Sequence, residues 1–211
     1  MVTEASQLAL SNLRVTDNLQ WYIIPMLIFV MYIYRNELEK GNDDAIYLGI
    51  YWFAICGVVL EIVNALVLHF TQHSALWTTP GNSAYVIYVG WNIEIALLAA
   101  VMGMLNLKGL PKEKDQKILG IPNRIFIPIT WGVSGVIIEL ILVWAGILVW
   151  EYWWWNFPHI YFILLWWTIP NLILAWLYDH LNLKEKKLLA GVSLLIALSC
   201  HIVFAVILQW V

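Results

Sequence analysis

The stretch AIYLGIYWFAICGVVLEIVNALVLH, residues 45–69, determines the fold class. It is long enough to cross the hydrocarbon of a bilayer, which needs about 20 mostly apolar residues in a helix. Its only Asp, Glu, Lys or Arg is Glu61, and Asn64 lies three residues later on the same helical face. The stretch therefore predicts a transmembrane helix that carries two polar groups side by side.

The composition of the whole chain agrees with this prediction. Hydrophobic residues make up 62% of the sequence and charged residues only 12%, whereas soluble domains carry about 25% charged residues. We therefore predict an all-α fold, a polytopic membrane helix bundle that forms a single transmembrane domain over residues 1–211. Turn-forming residues such as Pro80, Gly81 and Asn82 separate the apolar runs. Six spans are expected, at about residues 20–35, 45–69, 83–107, 123–150, 158–180 and 188–210.

The distribution of Lys and Arg predicts the orientation. Ten of the 11 basic residues lie in the loops after spans 1, 3 and 5, and the opposite side has only Arg14. Cytoplasmic loops carry the excess of basic residues in membrane proteins. We therefore expect an integral, multi-pass protein with its basic loops in the cytoplasm and both termini on the opposite side.

An internal repeat is visible at an offset of 78 residues, where the segment 57–61 (GVVLE) recurs at 135–139 as GVIIE. The same offset relates two further pairs, Trp77 with Trp155 and Pro80 with Pro158. The pattern predicts that spans 2–3 and spans 4–5 are parallel copies, with chance similarity between apolar segments as the alternative. Parallel repeats place a site between the two halves.

Three acids lie inside predicted spans: Glu61, Glu94 and Glu139. An ionised carboxylate at the centre of a transmembrane helix costs about 2.5–3.5 kcal/mol on insertion scales. No Lys or Arg lies in the interior of the spans, away from their ends, to pair with these acids, so the neutral, hydrogen-bonded form is expected. We predict that at least two of the three face one internal cavity and are the catalytic proton donors and acceptors. Helix-to-helix hydrogen bonding is the structural alternative.

Glycines and aromatic rings accompany these acids. Gly57 and Gly135 each lie one turn before an acid, which leaves room either for a ligand or for close helix contact. Aromatic faces stabilise cations, although each ring could equally be a packing residue. Further rings are Trp144, Trp166, Trp167, Trp176, Tyr85 and Tyr88. The candidate substrate-binding residues are Asn64, Trp91, Trp77, Trp155, Tyr161 and Asn171.

Other chemistry has less support. His69 and His73 have the spacing of a metal-binding pair, with His159 on the same side, but packing is the expected role of these residues. The cysteines, Cys56 and Cys200, are expected to be packing residues. The chain has no GxSxG, Walker or GxGxxG motif and no feature of nucleic-acid binding. We expect no cofactor.

Two segments resemble known cyclases. The segment 61–67, followed by 90–96, is similar to the small integral-membrane terpene cyclases of fungal meroterpenoid pathways, as is the segment 132–158. Trp77, Pro80 and Ile93-Glu94 resemble the heterodimer-derived membrane lycopene cyclases, which are built from two similar halves of three spans. The segment 161–179 is similar to sterol-isomerase membrane proteins. These resemblances imply protonation of an isoprenoid double bond or epoxide.

The expected function is therefore a membrane-embedded isoprenoid cyclase or isomerase. Glu61 or Glu139 would donate the proton, Trp91 and its neighbours would hold the cation, and Glu94 would take the final proton. The expected partners are membrane lipid and a hydrophobic, isoprenoid-like small molecule, with the oligomeric state left open. The alternatives are a small transporter or lipid-binding protein that uses the same carboxyls, or a subunit of a membrane complex.

Overall fold

The computed structural model describes residues 1–81 and 83–211, so Asn82, in the predicted turn after span 2, lies outside the described residues. Most of the described chain is helical, as predicted. Two π-helical segments, Phe53–Val59 and His201–Ile207, continue α3 into α4 and extend α8. The helices are α1 (Glu4–Ser11), α2 (Ile23–Glu39), α3 (Asp43–Trp52), α4 (Leu60–Thr71), α5 (Ile93–Lys108), α6 (Asn123–Trp144), α7 (Tyr161–His180) and α8 (Leu183–Cys200).

Four helical runs are long and apolar enough to cross a bilayer: Asp43–Thr71, Asn123–Trp144, Tyr161–His180 and Leu183–Ile207. They coincide with predicted spans 2, 4, 5 and 6, which confirms a multi-pass helical protein. The other two predicted spans correspond to shorter helices, because α2 has 17 residues and α5 has 16. Six spans are therefore not confirmed.

The third predicted span begins later than expected, at Ile93 instead of residue 83. The residues before it form an antiparallel hairpin of β1 (Val86–Tyr88) and β2 (Trp91–Asn92). The side-chain oxygen of Asn92 accepts a hydrogen bond from the Ile95 N–H at 2.9 Å, and such a cap favours a helix start at this point. A second short hairpin, β3 (Lys117–Ile118) with β4 (Ile121–Pro122), lies between α5 and α6. The fold is thus helical with two small hairpins.

The fourth predicted span, 123–150, is helical only as far as Trp144. Gly146 has a φ of +71°, a conformation that glycine adopts without steric cost. The chain turns back there, and Val149 pairs with Thr78 through two backbone hydrogen bonds of 3.0 and 2.9 Å. The loop after α6 is therefore joined to the loop after α4.

The two ends of the bundle differ in charge. Arg14 donates to the backbone oxygen of Val211 at 2.8 Å at the end that holds both termini. The other end collects the end of α2, the loop between α5 and α6, and the turn between α7 and α8. Four ion pairs join these segments and the start of α3: Glu37 with Lys108, Asp179 with Lys114 and with Arg124, and Asp44 with Lys186.

Helix packing places α6 against α7, α3 against α5 and α8, and α2 against α5. The predicted repeat is not confirmed by this arrangement. At the offset of 78 residues, the hairpin residues 86–92 correspond to 164–170, which lie inside α7. The two copies are both helical over residues 57–66 and 135–144, and they differ in secondary structure at 86–92 and 164–170.

Candidate functional site

A cavity of about 140 Å³ lies between α4 and α6, and the carboxyls of both Glu61 and Glu139 line it. Gly57 and Gly135, one turn before each acid, also line the cavity, as does Cys56. The remaining lining is mostly aliphatic and aromatic. Five indole rings contribute to it: Trp52, Trp77, Trp91, Trp166 and Trp167. The structure thus brings together two of the three acids selected from the sequence.

Glu61 is buried on the first turn of α4, with a fractional exposure of 8%. The indole N–H of Trp77 lies 3.2 and 3.1 Å from the two oxygens of its carboxyl. One donor is therefore shared between both oxygens, which is geometry that suits either protonation state of the acid. The Trp77 ring also forms part of the cavity wall.

Asn64 acts on this acid through Trp77. Its side-chain oxygen accepts the backbone N–H groups of Leu76 and Trp77 at 2.8 and 3.3 Å, and its amide donates to the Trp77 carbonyl at 2.8 Å. Gly90 completes the packing, because a methyl group there would lie 2.7 Å from the Trp77 ring. Asn64 does not line the cavity, so its role is to position Trp77.

Glu139 has a comparable environment in the other half of the cavity. The indole N–H of Trp167 donates to one of its oxygens at 2.8 Å. The N–H of the buried Trp150 indole has no hydrogen-bond partner among the described residues. Gly135 makes room for Trp167, since a methyl group there would lie 2.5 Å from the ring. Gly135 therefore allows close helix contact and also lines the cavity.

The electrostatics of the cavity follow from its lining. None of the described residues that line it is Lys, Arg or His. An isolated carboxylate in such surroundings is costly unless it is paired, so the neutral acid is favoured. The two carboxyls can therefore hold a proton and deliver it to an apolar molecule. The faces of the surrounding indoles can stabilise positive charge that develops on that molecule.

The third acid, Glu94, lies outside the cavity, in the first turn of α5. It accepts hydrogen bonds from the Tyr22 hydroxyl at 2.5 Å, the Ser83 hydroxyl at 2.7 Å and the Ala84 N–H at 2.9 Å. These three hydrogen bonds connect the start of α2 and the residues just before β1 to the start of α5. The observed contacts of Glu94 are therefore those of a structural acid.

Other residues selected from the sequence are distributed around the cavity. Trp91 lines it, and Trp155 lies behind it, stacked on Trp77 with ring centroids 5.8 Å apart. Asn171 is buried elsewhere in α7, where Asn106 donates to it. Tyr161 is half exposed, and its hydroxyl contacts His159 at 3.1 Å. The structure therefore brings Trp91, Trp77 and Trp155 to the acids, and it does not bring Asn171 or Tyr161.

The three histidines of the predicted metal alternative have separate partners. His69 stacks on Trp210 with centroids 4.6 Å apart, and His159 lies against Trp153. His73 packs against Tyr152. In residues 1–81 and 83–211, no three His, Cys, Asp or Glu side chains are grouped as metal ligands would be. The described structure gives the metal alternative no support.

Among the cavity residues that were not assigned a site role from the sequence are Trp167 and Cys56. Trp167 was one of several rings without a role, and it is the hydrogen-bond donor to Glu139. The sequence feature that could have pointed to such a donor was Glu139 itself, because a carboxyl at membrane depth requires a hydrogen-bond donor from a neighbouring helix. Cys56 was expected to be a packing residue, and it lines the cavity. No feature of the sequence distinguishes it from Cys200.

Comparison with known proteins gives the family of the chain. Residues 3–206 match a family described as "Uncharacterized membrane protein family". A protein of Archaeoglobus fulgidus, described as "Uncharacterized protein", is 41% identical over 213 residues, which cover 100% of both chains. No solved structure matches the chain.

Proposed function

Because the chain belongs to the family described as "Uncharacterized membrane protein family", and both cavity acids lie in helices long enough to cross a bilayer, we propose that it is a membrane-embedded isoprenoid cyclase or isomerase. One carboxyl of the Glu61–Glu139 pair protonates a carbon–carbon double bond or an epoxide. The observation that supports this proposal is the pair itself: two carboxyls face one indole-lined cavity whose described lining has no basic residue.

The reaction is a proton transfer followed by its return. The acid O–H adds its proton to one alkene carbon, or to the epoxide oxygen with opening of a C–O bond, and positive charge forms on the adjacent carbon. A second double bond attacks this carbon to close a ring, or a hydride shift moves the charge. The other carboxyl, ionised at this stage, takes a proton from the neighbouring carbon, which restores a double bond, and that proton passes back to the first carboxyl before the next turnover. Substrate and product are isomers, so no oxidant or reductant is consumed.

The residues around the acids have defined tasks in this scheme. The faces of Trp77, Trp91 and Trp167 stabilise the cation and exclude water that would otherwise capture it. Trp77 and Trp167 also hold the carboxyls in place through their N–H groups. Since Glu94 is not in the cavity, we assign the final proton acceptance to the second cavity acid. The resemblance of segments 61–67 and 90–96 to membrane terpene cyclases supports the same chemistry.

We also propose that α2 and α5 cross the membrane with the four longer helices, giving six spans with both termini outside the cytoplasm. The ion pairs gathered at one end of the bundle support this orientation. The equivalent acids of segments 57–61 and 135–139 support an ancient parallel duplication. The short length of α2 and α5 implies that both lie close to the bilayer normal or in locally thinned lipid.

Deuterium incorporation into a panel of candidate lipids tests the proposed reaction. The purified protein in liposomes is incubated in D₂O with polyprenols, polyprenyl epoxides or carotenoids, and the recovered lipids are analysed by mass spectrometry. We expect at least one lipid to gain deuterium or to form an isomeric product. Since a general acid contributes about 10²–10⁴-fold, Glu61→Gln and Glu139→Gln should each lower this rate by about 100-fold or more. Glu39→Gln, at an exposed surface position, is the matched control.

The outcomes separate the proposal from its alternatives. Full activity in both Gln variants would exclude acid catalysis by the pair. Binding of the lipids without deuterium uptake in any of them would favour the lipid-binding or transport alternative. Co-purification of a fixed protein partner, with activity only in its presence, would favour a subunit of a larger complex.

A further inference from the structure

The acid cavity reaches the molecular surface at a point between α5 and α6. Eight of its 20 lining residues are buried, with exposures of 3% for Trp91 and 8% for Glu61, and ten are partly exposed. The two most exposed lining residues are Leu98 on α5, at 45%, and Ile138 on α6, at 46%. These two side chains therefore flank the mouth of the cavity.

The surroundings of the mouth are aliphatic. Leu98 and Ile138 both lie inside their helices, well away from the ends. On α6, Ile137 and Ile141 beside Ile138 are 51% and 57% exposed. Such a surface at mid-helix faces hydrocarbon in a membrane protein. The cavity therefore opens sideways towards lipid.

Leu98 also lines a second cavity, which lies on the side of Leu98 that faces α2. This groove has a volume of about 350 Å³, and it runs between α2 and α5. Its lining is entirely apolar: Pro25, Met26, Phe29, Val30, Leu97, Leu98 and Val101. Because Leu98 is common to both, the groove and the mouth of the acid cavity are adjacent on the same lipid-facing surface.

The volumes limit what can occupy each space. An engineered cavity of about 150 Å³ in another protein holds one benzene molecule, so a cavity of about 140 Å³ accommodates one isoprene unit of five carbons. A longer molecule must leave the rest of its chain outside. The groove beside Leu98 is the apolar space next to the mouth that can receive that chain.

We propose that Leu98 and Ile138 form a lateral opening through which a linear polyprenyl lipid inserts its terminal isoprene unit between Glu61 and Glu139, with the rest of its chain in the α2–α5 groove. The identity of the reacting end rests on the proposed function. The mode of binding does not, because it follows from the position of the mouth and the sizes of the two cavities. The substrate class is thus a membrane-dissolved polyprenyl chain that reacts at its tail.

Photocrosslinking locates the two ends of such a ligand. Two analogues of geranylgeraniol are prepared, one with a diazirine in the terminal isoprene unit and one with a diazirine next to the hydroxyl. Each is irradiated with the full-length protein in liposomes, and the modified peptides are identified by mass spectrometry. The tail probe should modify the segments 52–61 and 135–142. The hydroxyl-end probe should modify α2 near Met26 and Phe29.

Variants test the opening. Leu98→Trp fills the mouth and should lower modification by the tail probe several-fold, and Ile138→Trp should do the same. Leu195→Trp, at a position 66% exposed on α8, is the matched control and should leave it unchanged. Modification of the acid segments that is insensitive to both mouth variants would overturn the opening. Equal modification by a hexadecanol probe of the same design would overturn the preference for a polyprenyl chain.

The test is independent of turnover. Glu61→Gln should retain crosslinking even as it abolishes deuterium uptake. Loss of the proposed reaction with crosslinking preserved would therefore remove the catalytic proposal alone. Crosslinking at other sites in an active protein would remove the binding proposal alone.

Discussion

The rings of Trp77 and Trp155 are stacked with their centroids 5.8 Å apart, yet only Trp77 has a partner for its N–H. Its indole donates to Glu61, whereas the buried N–H of Trp155 has no acceptor among the described residues. Both rings are at least nine-tenths buried. Substitution of each residue in turn therefore separates the contribution of the hydrogen bond to stability from that of the aromatic ring.

We expect Trp77→Phe to destabilise the protein more than Trp155→Phe. The two changes remove similar ring volume, but the first also leaves a buried carboxyl without its donor, at about 1–3 kcal/mol. For a chain of this size, 1 kcal/mol corresponds to about 2–4 °C in Tm. Thermal unfolding in detergent, followed by circular dichroism, measures the difference. Equal shifts in the two variants would show that the Trp77–Glu61 hydrogen bond contributes nothing to stability.

The glycines of the helices are not equivalent. Gly135→Ala should destabilise the protein by about 1–3 kcal/mol, because the added methyl would meet the Trp167 ring at 2.5 Å and force overpacking. Gly191→Ala in α8 is the control, since no atom lies within 4 Å of its added methyl. That change should be neutral or stabilise by up to about 1 kcal/mol. The same unfolding assay decides, and a Tm for Gly135→Ala at or above that of Gly191→Ala would contradict the packing argument.

Glu37 should make the stability of the protein dependent on pH in the acidic range. Hydrogen bonds from Lys108 and Asn42 lower the pKa of this carboxyl below its usual value, although burial acts in the opposite direction. Its contribution to stability is thus complete above the unfolded-state pKa of about 4.3. It is lost as the pH falls through the lower folded-state pKa. Wild-type Tm should therefore decrease as the pH is lowered from about 5 to 3.

The control for this dependence lies on the same helix. Glu37→Gln should flatten the decrease, because the amide does not titrate. Glu39→Gln should leave the dependence unchanged, since Glu39 is paired with Arg35 at the exposed surface. The attribution to Glu37 fails if its Gln variant loses stability with pH as steeply as the wild type.

The orientation of the chain is testable by cysteine labelling. Ser11 and Lys112 are both exposed, and they lie near opposite ends of the bundle. In intact cells, a membrane-impermeant maleimide should label Ser11→Cys and leave Lys112→Cys unlabelled until the membrane is opened. Labelling of Lys112→Cys alone would reverse the proposed orientation, and equal labelling of both would show that the two ends lie on the same side.

The apolar runs predicted the four longest helical segments because length and hydropathy alone govern insertion into a bilayer. They did not predict where the helices begin, because local polar contacts determine those positions. The side chain of Asn92 caps α5, which begins at Ile93. Gly146, with its positive φ, lies just after the end of α6. Both residues lie inside or next to apolar stretches, so the mean hydropathy of these stretches does not reveal the helix ends.

The candidate site, too, was predictable from the sequence only in part. Glu61 and Glu139 could be selected because an acid at membrane depth is rare and costly. Glu94 met the same criterion, but it lies at the start of a helix, where three donors satisfy it. Trp167 could not be selected over Trp166 or Trp176, since only the packing of α7 against α6 determines which indole faces an acid. The acids could therefore be selected from the sequence, whereas their hydrogen-bond donors could be identified only from the tertiary contacts.

The short sequence distance between each acid and its donor has a consequence for biogenesis. Trp77 follows Glu61 by 16 residues, and Trp167 follows Glu139 by 28. Each donor thus belongs to the same helix-and-return unit as its acid, so the hydrogen bond can form as soon as that unit leaves the ribosome and the translocon. The carboxyls need not wait for one another during synthesis. We therefore expect each acid to enter the lipid already hydrogen-bonded, and the cavity to be completed when α4 and α6 pack together with α5 and α7.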